Sequence, residues 1–295
     1  MRSSLLPIPM RPYLTGLLLL AASAGCNLIN PEETVPSYIY IEPFTLTTNL
    51  ETQGYASTKI TDAWVYANGQ FIGAFELPAS VPLLTEGITE LIVYPGIKEN
   101  GISGVSMIYP FYNAYTTTRT LTAAETDTLY PTTTYKPAAG ITFSLLERFE
   151  SSNTFEGYET NTALTTTSDP ALVFEGNRSA FTILFGETDT FRVVSSNPIP
   201  FPGADKQMFL EIDYQCDIQY NVWLKCNTAN LPIYDEILTV TAKDTWNKIY
   251  INLNPALQFF SQYQPESIQL EFRAEQTGTD SATILYDNIK IIQTK

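Results

Sequence analysis

The feature that most constrains the fold is the lack of helical periodicity after residue 25. No long segment there repeats apolar side chains every 3.6 residues, and Thr, Tyr, Phe, Ile and Val are abundant. β-Branched and aromatic residues suit the pleated surface of a sheet, and short apolar runs that end at Gly, Pro or Asn are typical of strands. The sequence therefore predicts an all-β chain.

Length and composition set the number of units and exclude one class of partner. The 295 residues suggest two domains, and the 44% apolar content is enough to bury two cores. The formal net charge of −15 lacks the basic footprint that phosphate binding requires. Nucleic acid is therefore excluded as a partner.

The first 25 residues have the composition of a secretory leader. Arg2 and Arg11 supply positive charge, and the apolar run at 13–24 is shorter than the roughly 20 residues of a membrane-spanning helix. Residues 23–26, Ser-Ala-Gly-Cys, resemble the lipobox of bacterial lipoproteins, in which cleavage precedes a cysteine that becomes lipidated. That resemblance implies a lipoprotein signal peptide at 1–25 and lipidation of Cys26.

A polar, proline-containing and acidic stretch at 26–36 is interpreted as the lipidated tether. Its Glu32-Glu33 pair resembles the export signal of surface lipoproteins in Bacteroidetes-type bacteria, which implies an outer-membrane, cell-surface location. Met10 begins a complete leader by itself, so translation starts at Met1 or at Met10.

The chain contains no histidine, which excludes Ser-His, Cys-His and His-metal chemistry together. Its 31 acidic residues form no recognisable glycosidase pair in the sequence, so we predict a protein that is not an enzyme. Besides Cys26, only Cys216 and Cys226 remain, and they either pair in an oxidising envelope or stay free. Two successive strands joined by a tight hairpin would place them at opposite ends.

Residues 37–115 are predicted to form a small sandwich. Asn68-Gly69 supplies the two positive φ angles of a hairpin turn, and Pro95-Gly96 marks a second turn. The segments 65–84 and 87–101 resemble PEGA-like or transthyretin-like modules of bacterial envelope proteins. The resemblance implies a structural or interaction module. The threonine-rich segment 116–139 is interpreted as an extended interdomain segment that could complete the first sheet, and the alternative is a mucin-like stalk.

Residues 140–295 resemble the carbohydrate-binding jelly rolls, also called galactose-binding-like domains. The similarity lies in the strand-like segments 141–151, 207–225 and 245–253 and in the terminal Leu-Tyr-Asp-Asn-Ile-Lys-Ile. It implies a sandwich of eight to ten strands with Greek-key connections. Asn254-Pro255 and the residues after them predict one or two helical turns between strands.

The jelly-roll resemblance implies a structural calcium site. Related domains hold calcium between a carboxylate near the first strand and an aspartate in the last, and the matching residues are Glu147 or Glu150 and Asp287. The alternative is that these side chains are solvated or cap a strand. Calcium is the one cofactor that the sequence suggests.

A glycan-binding face is the second candidate site. Sugar sites combine aromatic platforms with polar groups that bind hydroxyls, and Tyr220, Trp223 and Arg273 are the candidates. Tyr220 and Trp223 are an odd number apart, so a regular strand places them on opposite faces.

The sequence as a whole predicts an envelope-anchored, non-catalytic binding or assembly lipoprotein. Its partners would be the membrane, through the lipid, and either an envelope protein or a polysaccharide. The alternative is a glycan-binding accessory lipoprotein of a polysaccharide-uptake or adhesion system.

Overall fold

The computed structural model describes residues 34–151, 153–160, 162–186, 189–278 and 280–295. These residues form an almost entirely β architecture of two sandwich units, which confirms the predicted fold class. The predicted leader and the lipidation site at Cys26 lie outside the described residues. No helix in the described ranges is long and apolar enough to cross a membrane.

The N-terminal unit contains ten strands and one short helix. Their bounds are β1 Ser37–Ile41, β2 Thr45–Thr47, α1 Leu50–Gln53, β3 Asp62–Ala67, β4 Gln70–Glu76, β5 Ala79–Leu83, β6 Gly87–Lys98, β7 Ser106–Ile108, β8 Tyr115–Leu121, β9 Thr126–Leu129 and β10 Thr132–Thr134. They form sheets in the orders β5-β1-β9, β10-β2 and β4-β3-β6-β7, and β8 pairs with β6.

The predicted hairpin at Asn68-Gly69 is confirmed. It joins β3 to β4, and φ is 49° at Asn68 and 79° at Gly69, the positive angles of the expected turn. The turn predicted at Pro95-Gly96 is wrong, because β6 continues through both residues to Lys98. A Cβ on Gly96 would lie 2.9 Å from the Cβ of Asp62, so this glycine permits a close approach of two strands.

The threonine-rich segment 116–139 belongs to the N-terminal sheets. It contributes most of β8, which pairs with β6, together with β9 and β10, which run parallel to β1 and β2. Threonine suits such strands because its branched Cβ fits the pleat while its hydroxyl can face water.

The described residues between 141 and 294 form twelve further strands and a second helix, which we call the C-terminal unit. Their bounds are β11 Ile141–Glu147, β12 Phe155–Gly157, β13 Thr165–Thr167, β14 Ser179–Leu184, β15 Thr190–Ser195, β16 Ile199–Pro200, β17 Met208–Cys216, β18 Tyr220–Asn227, β19 Ile233–Val240, β20 Lys243–Asn252, α2 Asn254–Phe260, β21 Ser267–Glu275 and β22 Ala282–Thr294. Helix α2 confirms the helical turns predicted after Asn254.

Two six-stranded sheets form the jelly roll. The inner sheet has the order β13-β14-β22-β17-β20 with β11 beside β22, and the outer sheet has the order β12-β15-β21-β18-β19 with β16 beside β21. Alternate side chains of both sheets fill the core between them, and α2 adds Leu257 and Phe260 to it. Strands β17 and β18 lie in different sheets, so the expected tight hairpin between Cys216 and Cys226 does not form.

The two units share a continuous apolar interface. The core of the N-terminal unit includes Phe209, Tyr250 and Ile292 of the jelly roll. The ring of Tyr109 meets the rings of Phe209 and Tyr250 edge to face, at centroid distances of 5.5 and 4.8 Å. Edge-to-face packing is favourable for aromatic rings beyond the area that it buries.

Charged side chains of the jelly roll are buried in the same interface. Glu211 is fully buried and accepts hydrogen bonds from the hydroxyls of Tyr109, at 2.8 Å, and Tyr135, at 2.9 Å. The Lys248 ammonium lies 3.2 Å from Glu211 and 3.5 Å from Asp213. These partners offset the cost of removing the charges from water.

A second lysine joins this network. Lys290 is fully buried and donates from Nζ to the backbone carbonyl of Tyr55, at 2.8 Å, and to the hydroxyl of Tyr135. Burial lowers the pKa of Lys290 to about 8. Burial alone would also lower the pKa of Lys248, but Asp213 and Glu211 raise it above its ordinary value. We call Glu211, Asp213, Lys248 and Lys290 the interface charge cluster.

Candidate functional site

Strand β18 separates a core face from an outer face. Tyr220, Val222, Leu224 and Cys226 are fully buried, whereas the side chains between them are partly exposed. The period of two along a strand produces this division. Trp223 therefore lies on the outer face of the outer sheet.

The prediction that Tyr220 binds a ligand on the surface is wrong. Its side chain is fully buried in the jelly-roll core, where its ring packs against Tyr214, Phe272 and Tyr286. Tyr220 and Trp223 lie on opposite faces of β18, which confirms the prediction from their odd spacing. Tyr220 fell on the core side.

The structure does bring Trp223 and Arg273 together. The guanidinium of Arg273 lies 4.1 Å from the centre of the Trp223 ring, a stacked cation–π arrangement. Strand β21 pairs with β18 in a register that sets Trp223 opposite Glu271 and Asn221 opposite Arg273. The cross-strand register therefore creates the contact.

A second arginine extends this arrangement. Arg192 on β15 is in register with Arg273, and its guanidinium lies 4.4 Å from the ring centre of Tyr158. Tyr234 on β19 lies close to both guanidinium groups, at 5.5 Å from Arg192 and 5.2 Å from Arg273. We call Tyr158, Arg192, Trp223, Tyr234, Glu271 and Arg273 the arginine–aromatic face.

A buried carboxylate fixes the two arginines. Glu271 is fully buried, and its Oε1 accepts from the Nε of both Arg192 and Arg273. Burial acts to lower the pKa of Arg192, but its hydrogen bond and ion pair with Glu271 raise it. Burial also raises the pKa of Tyr234. Both guanidinium groups are therefore held in place by Glu271 before any ligand arrives.

The rim of the face carries polar groups of both kinds. Asn221 donates to Glu236, at 2.6 Å, and to the hydroxyl of Thr239. Glu159 pairs with Arg192 at 2.8 Å. Among the described residues, the buried Nε1 of Trp223 and Oε2 of Glu271 have no hydrogen-bond partner. A hollow of about 360 Å³ lies over this surface, lined by Arg192, Asn221, Trp223, Glu236, Arg273 and Glu275 among others.

The sequence did not identify Tyr158, Arg192, Tyr234 or Glu271. One signal was present in β21, where Gln269, Glu271 and Arg273 alternate with Ile268, Leu270 and Phe272. Polar residues spaced by two along a strand indicate that one of its faces is polar. It does not show which strands flank β21, so the partners on β15 and β19 could not be inferred.

The three carboxylates predicted to hold calcium have separate partners. Glu147 accepts from the backbone N–H of Phe149 and from Thr154, while Glu150 accepts from the backbone and side chain of Asn177. Asp287 accepts from the Ser179 hydroxyl at 2.7 Å.

Each of the three carboxylates is therefore hydrogen-bonded within its own surroundings. Within the described ranges, no group of three or more acidic, cysteine or histidine side chains is arranged to hold a metal ion. Burial raises the pKa of Asp287 to about 7. The residues present therefore do not fit the predicted site, and calcium binding stays a prediction.

Both remaining cysteines are free and buried. They lie in the jelly-roll core, and burial raises the pKa of Cys216 to about 11. A thiol with such a pKa is protonated at neutral pH and unreactive.

Comparison with known proteins gives structural neighbours only. No protein-family model matches the chain, and no curated protein matches it. The CBM22-1–GH10 modules of endo-1,4-β-D-xylanase 10B from Clostridium thermocellum, complexed with xylohexaose, are 13% identical over 50% of this chain and 28% of that chain, with a TM-score of 0.37.

Two single carbohydrate-binding modules also align with about half of the chain. The family 11 module from Clostridium thermocellum, in complex with a mixed-linked tetrasaccharide, is 15% identical over 52% of this chain and 96% of its own, with a TM-score of 0.35. The CBM22-1 xylan-binding domain from Paenibacillus barcinonensis is 16% identical over 54% of this chain and 99% of its own, with a TM-score of 0.38. At these TM-scores the similarities carry no functional argument, so function has to be inferred from the chain's own residues.

Proposed function

We propose that this chain is a non-catalytic glycan-binding lipoprotein of the cell envelope, and that the arginine–aromatic face binds the glycan. The observation that carries the proposal is the packing of three aromatic rings around two arginines that a buried Glu271 holds in place. Rings pack against the apolar faces of sugars, while guanidinium, amide and carboxylate groups bind hydroxyls.

The charges of the face favour a neutral glycan. Arg192 and Arg273 are balanced by Glu159, Glu236 and Glu271, so the surface has no excess of positive charge to attract a polyanion. Their fixed positions also reduce the ordering cost of binding. Sugar hydroxyls can both accept hydrogen bonds from the guanidinium groups and donate hydrogen bonds to the neighbouring carboxylates.

A non-catalytic role follows from the same residues. Glu271 is paired with two guanidinium groups, which suits it to positioning and not to proton transfer. The chain has no histidine to replace it as a base.

The envelope location is part of the proposal and is supported by the leader and Cys26, with its Bacteroidetes-type acidic tether. The PEGA-like N-terminal unit would then space the jelly roll from an outer membrane at the cell surface. Mass spectrometry of the N-terminal peptide from the producing cell tests the lipid at Cys26. Protease treatment of intact cells tests its display.

Affinity electrophoresis of residues 27–295 in gels containing neutral and anionic polysaccharides tests the ligand. We expect retardation by a neutral polysaccharide and a loss of at least tenfold in affinity for Trp223→Ala, since a central aromatic contact contributes about 2 kcal/mol. Trp246→Ala is the matched control, because Trp246 packs on Phe174 away from the face.

The second hypothesis, assembly through a protein partner, is separated by the same measurement. No retardation by any polysaccharide would contradict glycan binding and favour the protein partner, which cross-linking in the intact envelope would then identify. Equal losses for Trp223→Ala and Trp246→Ala would contradict the placement of the site.

A further inference from the structure

The N-terminal unit has one end against the jelly roll and one end far from it. Strand β3 begins at Asp62, which pairs with Lys98 at the end of β6, and the next residue, Glu99, forms a β-bridge with Tyr250 of the jelly roll. Strand β3 ends at Ala67, opposite Leu91 near the beginning of β6. The far end is therefore formed by the Asn68-Gly69 turn, the connection from β5 to β6, and the beginning of β1.

Hydrogen bonds hold these far-end segments together. Ser37 donates from Oγ to the carbonyls of Leu83, at 3.2 Å, and Thr85, at 2.9 Å. The Asn68 side chain accepts from the backbone N–H of Glu90 at 3.0 Å. The position at which the described chain begins is therefore fixed beside the β5–β6 connection.

Large apolar side chains are exposed at this end. Val35 is 54% exposed, Phe71 47%, Leu84 75% and Ile88 79%. A hollow of about 420 Å³ lies between Phe71 and Leu84. Single exposed apolar residues are ordinary, but several around one end of a unit indicate a contact surface. We call these four residues the apolar end.

The length of the tether limits how far the apolar end can lie from a lipid on Cys26. Ten residues, 27–36, separate Cys26 from β1, and a fully extended segment of that length spans about 35 Å at most. A lipid on Cys26 would therefore keep the apolar end within about 35 Å of the membrane surface. At the effective concentration of a short tether, on the order of millimolar, even a weak apolar contact persists.

We propose that the apolar end rests on the lipid surface and so points the jelly roll away from the membrane. This inference rests on the proposed lipidation of Cys26. Glu86, Glu90 and Glu125 are exposed around the apolar end, so anionic lipid would repel this end and weaken the contact. A basic membrane-binding patch would show the opposite dependence, since anionic lipid would strengthen its binding.

The test uses the lipidated full chain in vesicles, with an environment-sensitive fluorophore on one introduced thiol. Leu84→Cys reports on the apolar end, and Leu231→Cys is the matched control, because Leu231 is 78% exposed on the jelly roll. Lipid blocks Cys26, and Cys216 and Cys226 are buried, so none of the three native cysteines reacts with the dye.

In phosphatidylcholine vesicles we expect blue-shifted emission and quenching by brominated lipid for the Leu84→Cys probe. The Leu231→Cys probe should behave as in water, and added phosphatidylglycerol should reduce the quenching at position 84. A lipidated chain in which both probes report water would overturn the inference and leave the anchor intact. A chain that carries no lipid by mass spectrometry would overturn the anchor and the inference with it.

Discussion

The hydroxyl of Tyr135 allows the energetics of the interface charge cluster to be tested with one atom. Tyr135→Phe removes the donor that lies 2.9 Å from Oε2 and 3.0 Å from Oε1 of Glu211, and leaves the ring in place. It also removes an acceptor of Lys290, which keeps its bond to the Tyr55 carbonyl. The carboxylate cannot recover the lost bond from water because it is fully buried.

We expect Tyr135→Phe to lower the free energy of unfolding by about 2–3 kcal/mol, the range for a buried hydrogen bond to a charged group. Tyr130→Phe is the control, because Tyr130 is 71% exposed, and it should stay within about 0.5 kcal/mol of the wild type. Urea denaturation at pH 7, followed by circular dichroism, measures both. The slope with urea should not change, since the same surface unfolds.

A double variant sharpens the test. Tyr109→Phe removes the other hydroxyl donor to Glu211, which would then keep the Lys248 ammonium as its neighbour in the cluster. The loss for the double variant should exceed the sum of the single losses by about 0.5 kcal/mol or more. A stabilising role of these hydroxyls is refuted if Tyr135→Phe is no more destabilising than Tyr130→Phe, and coupling between them is refuted if the losses for Tyr135→Phe and Tyr109→Phe are strictly additive.

Three further outcomes follow from buried or crowded positions. Burial raises the pKa of Asp287 to about 7, so the folded state retains a proton that the unfolded state has lost, and stability should decrease as the pH rises from about 4 to 7. This slope is at most about 1.4 kcal/mol per pH unit, and Asp287→Asn should flatten it. An unchanged slope in urea denaturation across this pH range would contradict the prediction. Gly96→Ala should cost about 1–3 kcal/mol in urea denaturation because its Cβ meets Asp62, whereas Gly104→Ala, with open space around it, should be near neutral, and similar values would argue against the close approach. Thermal unfolding with and without millimolar calcium tests the calcium prediction: a rise in the midpoint that Asp287→Asn abolishes would confirm it, and an unchanged midpoint would contradict it.

The sequence predicted features that depend on local chain geometry. Asn68-Gly69 needs only its own φ angles to define a hairpin, and the parity of Tyr220 and Trp223 needs only the period of a strand. Pro95-Gly96 failed because the residue pair is common in turns, while the space beside Asp62 that requires a glycine exists only in the folded sheet.

Strand β17 shows why the interface could not be predicted. Met208, Leu210 and Ile212 alternate with Phe209, Glu211 and Asp213, and the acidic residues suggest a face in contact with water. In the structure both faces are buried, since the N-terminal unit covers the acidic one. A sequence pattern shows that a face is polar, but not whether water or another unit's tyrosines satisfy it.

The sequence predicted only part of the candidate site, because a sequence pattern does not show which strands are neighbours. Trp223 and Arg273 were identified by residue type, and cross-strand register brought them together. Arg192 and Tyr234 lie on strands that no local pattern connects to them.

The shared interface also limits how this jelly roll could have been inherited. A module that moves between genes has to fold wherever it is inserted, yet this one would leave Phe209, Tyr250 and Ile292 uncovered without its N-terminal neighbour. It would also present Glu211 and Lys248 to water on a surface shaped for tyrosine hydroxyls. Gene rearrangement would therefore have to carry the two units together, and substitutions at Tyr109 or Tyr135 should be accompanied over evolution by changes in β17.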